Sequence, residues 1–93
     1  MQEIEIDSKK FQFYSIPTPN GVLLAIRGGR GMLACSYLNT STAEKLGDAL
    51  ALVSGVRTCE DMLVAKVFAI SSAAEKLGVE AGMSGRDALL KMY

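Results

Sequence analysis

The amino-acid sequence predicts an α+β fold, a two-layer sandwich in which an N-terminal antiparallel β-meander of hairpins is followed by short helices and strands. Three observations predict it. Up to Leu38, apolar and polar side chains alternate with the two-residue period of strands, broken by turn residues. From Asn39 onward the spacing S/T-x-x-D/E recurs in step with apolar residues, and that spacing marks helix starts. A chain of 93 residues holds one domain, here residues 1–93, with one core.

Residues 3–7 (EIEID) put Ile4 and Ile6 on one face and Glu3, Glu5 and Asp7 on the other. Ser8 to Lys10 are the expected turn. Phe11 to Ile16 alternate again, with the aromatic and β-branched content that suits a pleated surface. Pro17 and Pro19 lack an amide donor and confine their neighbourhood to an edge or loop. Asn20-Gly21 is the strongest hairpin signal and predicts a type I′ turn, with positive φ at both central residues. Strands follow at Val22–Arg27 and Met32–Leu38.

Between those strands lies Arg27-Gly28-Gly29-Arg30-Gly31. An RNA-binding RGG element is disordered and repeated, whereas this single copy sits between two apolar strands. A phosphate loop needs GxxxxGK[ST] or GxGxxG entering a helix, and these glycines enter a strand. The expectation is therefore a tight hairpin in which Gly28 and Gly29 supply positive-φ torsions. An even-numbered loop puts Cys35 on one face with Val22, Leu24, Ile26, Leu33 and Tyr37. The other face carries Leu23, Ala25, Met32, Ala34 and Ser36. Both faces are apolar, which predicts cover on both sides, helices on one and a neighbouring subunit on the other.

The second part, residues 39–93, is expected to be mixed α/β. The capping spacings are Ser41…Glu44, Thr58…Asp61, Ser72…Glu75 and Ser84…Asp87, predicting four short helices. Gly47 and Gly78 are natural left-handed stops. Ala49–Ser54 and Lys66–Ser71 have the composition of short buried strands. An alternative for the first of these is one helix over Ala43–Val53, running through Gly47 at a cost of about 1 kcal/mol. The repeated Ala-Glu-Lys-Leu-Gly at 43–47 and 74–78 fits an internal duplication or, better, two helices capped and stopped by the same local physics. A solenoid needs about three repeats.

Composition removes several function classes. Ten Lys plus Arg balance ten Asp plus Glu, and the cations are scattered, so the basic stripe of a nucleic-acid binder is absent. No apolar run approaches the ~20 residues that span a bilayer, so no membrane role is expected. The acidic, alternating opening MQEIEIDSKK lacks the layout of a signal peptide, and two cysteines without one point to reduced thiols in the cytoplasm. With no histidine, Ser-His and Cys-His dyads and His-containing zinc sites are excluded. Cys35 and Cys59, 24 residues apart, do not have metal-pair spacing, so no metal or cofactor is expected. An apolar share of 49% is high for a chain this short, which predicts that some of it is buried between identical subunits.

Cys35 has two readings: a small hydrophobe in the core, or a nucleophile activated by Arg27, Arg30 or a nearby helix start. Cys59 is expected to be a bystander. Asp48, Arg57, Glu60 and Asp61 are expected to serve as caps and dipole partners rather than an acid–base site. The conjunction Arg27, Arg30, Cys35, Tyr37 and Asn39 is the candidate site. Arg27, Arg30, Tyr37 and Asn39 would hold a small polar or anionic ligand, with Cys35 the candidate catalytic residue.

The runs GMLACSYLN, AEKLGDALALVSGVRTCEDMLVAKV and AAEKLGVEAGMSGRDALLKM resemble the YunC-like family of uncharacterised bacterial and archaeal proteins, over about residues 22 to 92. Its most specific pieces here are C-x-Y-L-N, G-V-x-T-x-E-D-x-L and G-M-x-G-R-x-A-L. The family typically has Cys-Gly where this chain has Cys35-Ser36. The resemblance implies a two-layer α/β fold whose β-rich region, residues 1–38, serves homo-oligomer assembly; it implies no activity. The function expected is a cytoplasmic homo-oligomeric domain binding a small polar or anionic ligand. A thiol-dependent enzyme with Cys35 as nucleophile and a purely structural assembly domain are the alternatives.

Overall fold

Six strands lie in sequence order in one sheet: β1 (Gln2–Ile6), β2 (Lys9–Pro17), β3 (Val22–Arg27), β4 (Met32–Cys35), β5 (Leu50–Val53) and β6 (Ala69–Ile70). Four helices accompany them: α1 (Thr40–Leu46), α2 (Cys59–Val64), α3 (Ser72–Lys76) and α4 (Gly85–Lys91). The structure is a computed structural model describing residues 1–93. Every neighbouring strand pair is antiparallel except β4–β5, which is parallel. A parallel pair needs a crossover, and α1 supplies it. The fold is thus α+β, an antiparallel meander extended through one β-α-β unit.

The predicted pleat holds. Leu24, Ile26, Leu33 and Cys35 join Ile6, Phe11, Ala51 and Val53 in the main core, against Met62 of α2, Ala74 of α3 and Ala88 and Leu89 of α4. On the reverse face Ala25, Ala34, Leu50 and Leu52 form a smaller core under Ala43 of α1. The alanines have little side chain, so α1 packs close to the sheet there. Part of the cover expected from a neighbouring subunit is therefore supplied by the chain's own α1. Helix and strand separate in 43–53 because Gly47 takes φ +78° and the Asp48 amide turns back onto Ala43 O at 2.9 Å. The one-helix alternative is thereby excluded.

The turns depart from expectation in an instructive way. The two-residue, positive-φ turn falls at Asp7 (φ 50°) and Ser8 (φ 66°), not at Asn20-Gly21. Lys9 and Lys10, expected in the turn, already pair with Ile6 and Glu5. Asn20 and Gly21 have no positive φ. Pro17 pairs with Val22, leaving a four-residue loop closed by the Thr18 amide on Gly21 O at 2.8 Å. Pro19 explains this: its φ is fixed near −65°, and at the second position of a four-residue turn it favours the ordinary, negative-φ type.

Gly28 and Gly29 also lack positive φ. The glycines at this tip are required by closeness instead. A Cβ on Gly28 would lie 2.6 Å from Met92 O, and one on Gly31 would lie 2.8 Å from both Ala49 Cβ and Met92 Sδ. The Arg30 amide donates to Met92 O at 2.9 Å. The Arg30 guanidinium reaches the carbonyls of Lys91 (3.1 Å) and Tyr93 (3.3 Å). The RGGRG tip is a clasp on the last turn of α4. At the other end of that helix, a Cβ on Gly85 would lie 2.0 Å from Met62 O, so α4 and α2 meet backbone to backbone.

The caps are where the spacing placed them, with two shifts. Thr58 accepts from the Asp61 amide at 3.0 Å and Ser84 from Asp87 at 3.1 Å, as predicted. The first helix is capped by Asn39, two residues before Ser41, whose amide donates to Asn39 Oδ1 at 3.0 Å. The third is capped by Ser71, not Ser72. Ser71 is 1% exposed, and its hydroxyl accepts from the Leu50 amide at 2.9 Å and donates to Asp48 O at 2.8 Å. One hydroxyl thereby starts α3 and fixes the first residue of β5. The strand expected over Lys66–Ser71 shrinks to Ala69–Ile70, because Lys66 and Val67 bond to the segment before α4 instead. Likewise β4 stops at Cys35, where the Leu38 amide turns back onto Cys35 O at 3.2 Å.

Candidate functional site

The carboxyl ends of the parallel strands β4 and β5 lie side by side, Cys35 opposite Val53. From there the chain departs in two directions: β4 leads to α1 on one face of the sheet, and β5 leads to α2 on the other. Neighbouring parallel strands whose connections diverge leave a crevice outside their carboxyl ends. The crevice is present as a cleft of about 630 Å³, lined by Asn20, Val22, Cys35, Ser36, Tyr37 and Arg57 together with residues 55–56.

Each wall has a local cause. Strand β3 still pairs with β4 at Ala25–Ala34, but the ladder stops before Leu24 and Cys35. The Leu24 amide, left without a carbonyl, donates to Cys35 Sγ at 3.3 Å. The thiol thus stands in for a backbone acceptor at the point where the strands part and the cleft opens. Cys35 is 5% exposed, so it belongs to the core and to the cleft wall at once. Tyr37 lies over the turn after β4, 57% exposed, and its hydroxyl donates to Thr18 Oγ1 at 3.0 Å. That bond ties the β2–β3 loop across one side of the opening. On the far side the Arg57 amide donates to Asp61 Oδ2 at 3.0 Å, which fixes the backbone and leaves the guanidinium, the one charged group of the lining, unpaired.

The predicted constellation divides between two ends of β4. Cys35 and Tyr37 come together in the cleft. Arg27 and Arg30 lie at the opposite end, around the RGGRG tip with Asp48, in a separate hollow of about 330 Å³. Arg30 is occupied as the clasp on α4, and Asn39 caps α1. Neither Arg27 nor Arg30 is placed to act on the Cys35 thiol. Asp61 serves as a cap partner, as expected. Arg57, expected only among the caps and dipole partners, lines the cleft beside Cys35 and Tyr37. The signal was the parallel β4–α1–β5 unit itself, because the residue following β5 then faces the residue following β4.

Two groups titrate away from their ordinary ranges. Glu44 of α1 accepts from both the amide and the hydroxyl of Ser72, the latter at 2.9 Å. Those bonds, the amide first and the hydroxyl second, hold its carboxyl below the usual range against a smaller desolvation effect, and the Lys76 charge adds the least. The Cys59 thiol is pushed up by burial and by the Glu60 charge, which weakens it as a nucleophile and fits a bystander.

A mixed sheet in sequence order, one β-α-β crossover and a cleft at the point of divergence define a small α+β domain of one family. The chain belongs to the family described as "Domain of unknown function (DUF1805)", whose model matches residues 34–92. It is 36% identical to "Uncharacterized protein YunC" of Bacillus subtilis (strain 168), over 96% of this chain and 92% of that protein. Its fold matches the crystal structure of TA1206, a protein of unknown function from Thermoplasma acidophilum. That match has a TM-score of 0.94 and 40% identity, covering 99% of this chain and 90% of the other. The resemblance on GMLACSYLN and the later runs thus identified the family.

Proposed function

We propose that this domain is a cytoplasmic homo-oligomeric binding module that holds a small polar or anionic ligand in the cleft beyond β4 and β5. The observation that carries this reading is the position of the cleft, at the divergence of the α1 and α2 connections with an unpaired Arg57 in its lining. Ser36 and Asn20 add hydroxyl and amide donors that orient an oxyanion, the Tyr37 hydroxyl holds the β2–β3 loop beside them, and Val22 and Val56 add apolar lining. Two free thiols support the reducing compartment. No helix is long and apolar enough to cross a membrane. Exposed Ile16, Leu46, Val64 and Phe68 support burial between subunits.

The test is thermal unfolding with inorganic phosphate, citrate and succinate as probes. A ligand at one hundred times its Kd stabilises by about 2.7 kcal/mol, and Arg57→Gln is expected to remove that rise. If none of the three anions moves the transition of the unaltered protein, the ligand reading falls and the structural-assembly reading stands.

A second reading, a thiol-dependent enzyme with Cys35 as nucleophile, is favoured by the thiol's place in the cleft wall. Its burial and its bond to Leu24 oppose it. Mass spectrometry after iodoacetamide treatment of the folded protein decides: an unmodified Cys35 ends the enzyme reading.

A further inference from the structure

Two hollows meet at the end of β4 away from the cleft, and they share Met32 and Asp48. The first, of about 330 Å³, surrounds the RGGRG tip and is lined by Arg27 and Asp48. The second is an apolar groove of about 300 Å³ along α1, with Met32, Leu38, Ala43 and Leu50 among its walls. Topology makes this groove. Because α1 connects parallel strands it runs back along the sheet, from the end of β4 to the start of β5. Met32 and Leu38 pack beside the alanine core beneath it.

Where the hollows join, two opposite charges are held in place without being paired. Arg27 ends β3, its backbone fixed between Gln12 and Met32. Asp48 is fixed at both of its peptide groups: its amide donates to Ala43 O at 2.9 Å, and its carbonyl accepts from the Ser71 hydroxyl at 2.8 Å. Both side chains line one hollow, yet neither is ion-paired within the chain. Of the tip's amides, Gly28 donates to Gly31 O and Arg30 to Met92 O, while those of Gly29 and Gly31 have no backbone acceptor. A guanidinium with free amides near it and a carboxylate apart from it, in one recess, suit a ligand carrying both signs. The apolar groove opens from the same point, at Asp48 and Met32. A carboxylate for Arg27, an ammonium for Asp48 and a hydrocarbon group for the groove, branching from one centre, describe an α-amino acid with an apolar side chain.

We propose that this junction binds a free aliphatic α-amino acid, its carboxylate on Arg27, its ammonium on Asp48 and its side chain in the groove beside Met32 and Leu38. The site is separate from the cleft beyond β4 and β5 and does not depend on the ligand assigned there. Isothermal titration calorimetry of the full chain with L-leucine at millimolar concentration tests it. Three comparison ligands each lack one group: 4-methylpentanoate the ammonium, 3-methylbutylamine the carboxylate and glycine the side chain. Each is expected to bind at least ~10-fold more weakly than leucine, the loss of one charge-assisted contact or of a buried aliphatic group. Asp48→Asn is expected to weaken leucine by a similar factor and leave 4-methylpentanoate unchanged, whereas Arg27→Gln weakens both. Both side chains are exposed, so the fold should persist, which far-UV circular dichroism checks. Arg57→Gln, in the other cleft, should leave leucine binding as it was. Absence of leucine binding overturns the proposal, and so does equal affinity for leucine and 4-methylpentanoate. Tighter binding of L-glutamate, indifference to Arg27→Gln or Asp48→Asn, or loss of leucine binding in Arg57→Gln overturns it equally.

Discussion

Replacing Gly85 by alanine adds one methyl group at the point where α4 crosses α2. Its Cβ would lie 2.0 Å from Met62 O and 2.8 Å from Leu33 Cδ2. Real Cβ atoms stay beyond 3.0 Å, so α4 must retreat from α2 by about 1 Å. The obstacle is a backbone carbonyl, which cannot change rotamer to make room. Retreat also pulls Ala88 and Leu89, both fully buried, away from the sheet. Gaps of 0.5–1 Å forfeit about a quarter to a half of each contact's attraction. Overpacking of this kind costs about 1–3 kcal/mol, and a backbone conflict belongs at the upper end. In a domain of this size 1 kcal/mol moves the midpoint by ~4–8 °C, so Gly85→Ala should lower Tm by roughly 10–20 °C. Gly21→Ala is the control, because its Cβ meets only Thr18 Oγ1 at 3.5 Å and its φ is not positive. Relieving chain entropy there is worth ~0.4–1 kcal/mol in favour of the fold. Calorimetry that found the two alanine variants equally stable would refute the close approach of α4 and α2.

Ser71→Ala leaves the Leu50 amide and Asp48 carbonyl without a buried partner and removes the cap of α3. A loss of about 2–3 kcal/mol in urea denaturation is expected, and an unchanged midpoint would contradict the hub. Glu44 acts through pH. Its carboxyl is held down in the fold by the Ser72 bonds, so its contribution is fully present above the unfolded pKa and is lost as pH falls through the lower folded value. Glu44→Gln should therefore narrow the stability gap between neutral and acid pH, read from unfolding midpoints across an acid titration. Equal pH slopes in the two proteins would rule the contribution out.

What the sequence disclosed was what neighbouring residues decide. The pleat of β3 and β4 follows from alternation, and both faces are populated as the alternation required. Gly47 stops α1 because positive φ is a property of one residue. The failures share a different origin. Gly28 and Gly31 are glycines because of Met92, more than 60 residues away, and no local pattern carries that. Ser71 rather than Ser72 is the cap because its hydroxyl also serves Leu50, a tertiary demand on a local motif. Half of the candidate site was visible for the same reason. Cys35 and Tyr37 lie within three residues on one strand end, whereas Arg57 joins them only through the parallel pairing of β4 with β5.

The clasp at the RGGRG tip also bears on how the chain folds. Its bonds join residue 30 to residues 91–93, so they close a loop of about two-thirds of the 93-residue chain. Closing long loops is entropically slow, and this closure requires β3, β4 and α4 to exist first. It should therefore form after the rate-limiting barrier. Interactions absent from that barrier leave the folding rate alone and set the unfolding rate. Weakening the clasp, for instance with Arg30→Ala, would shorten the lifetime of the native state while refolding proceeds at its former speed.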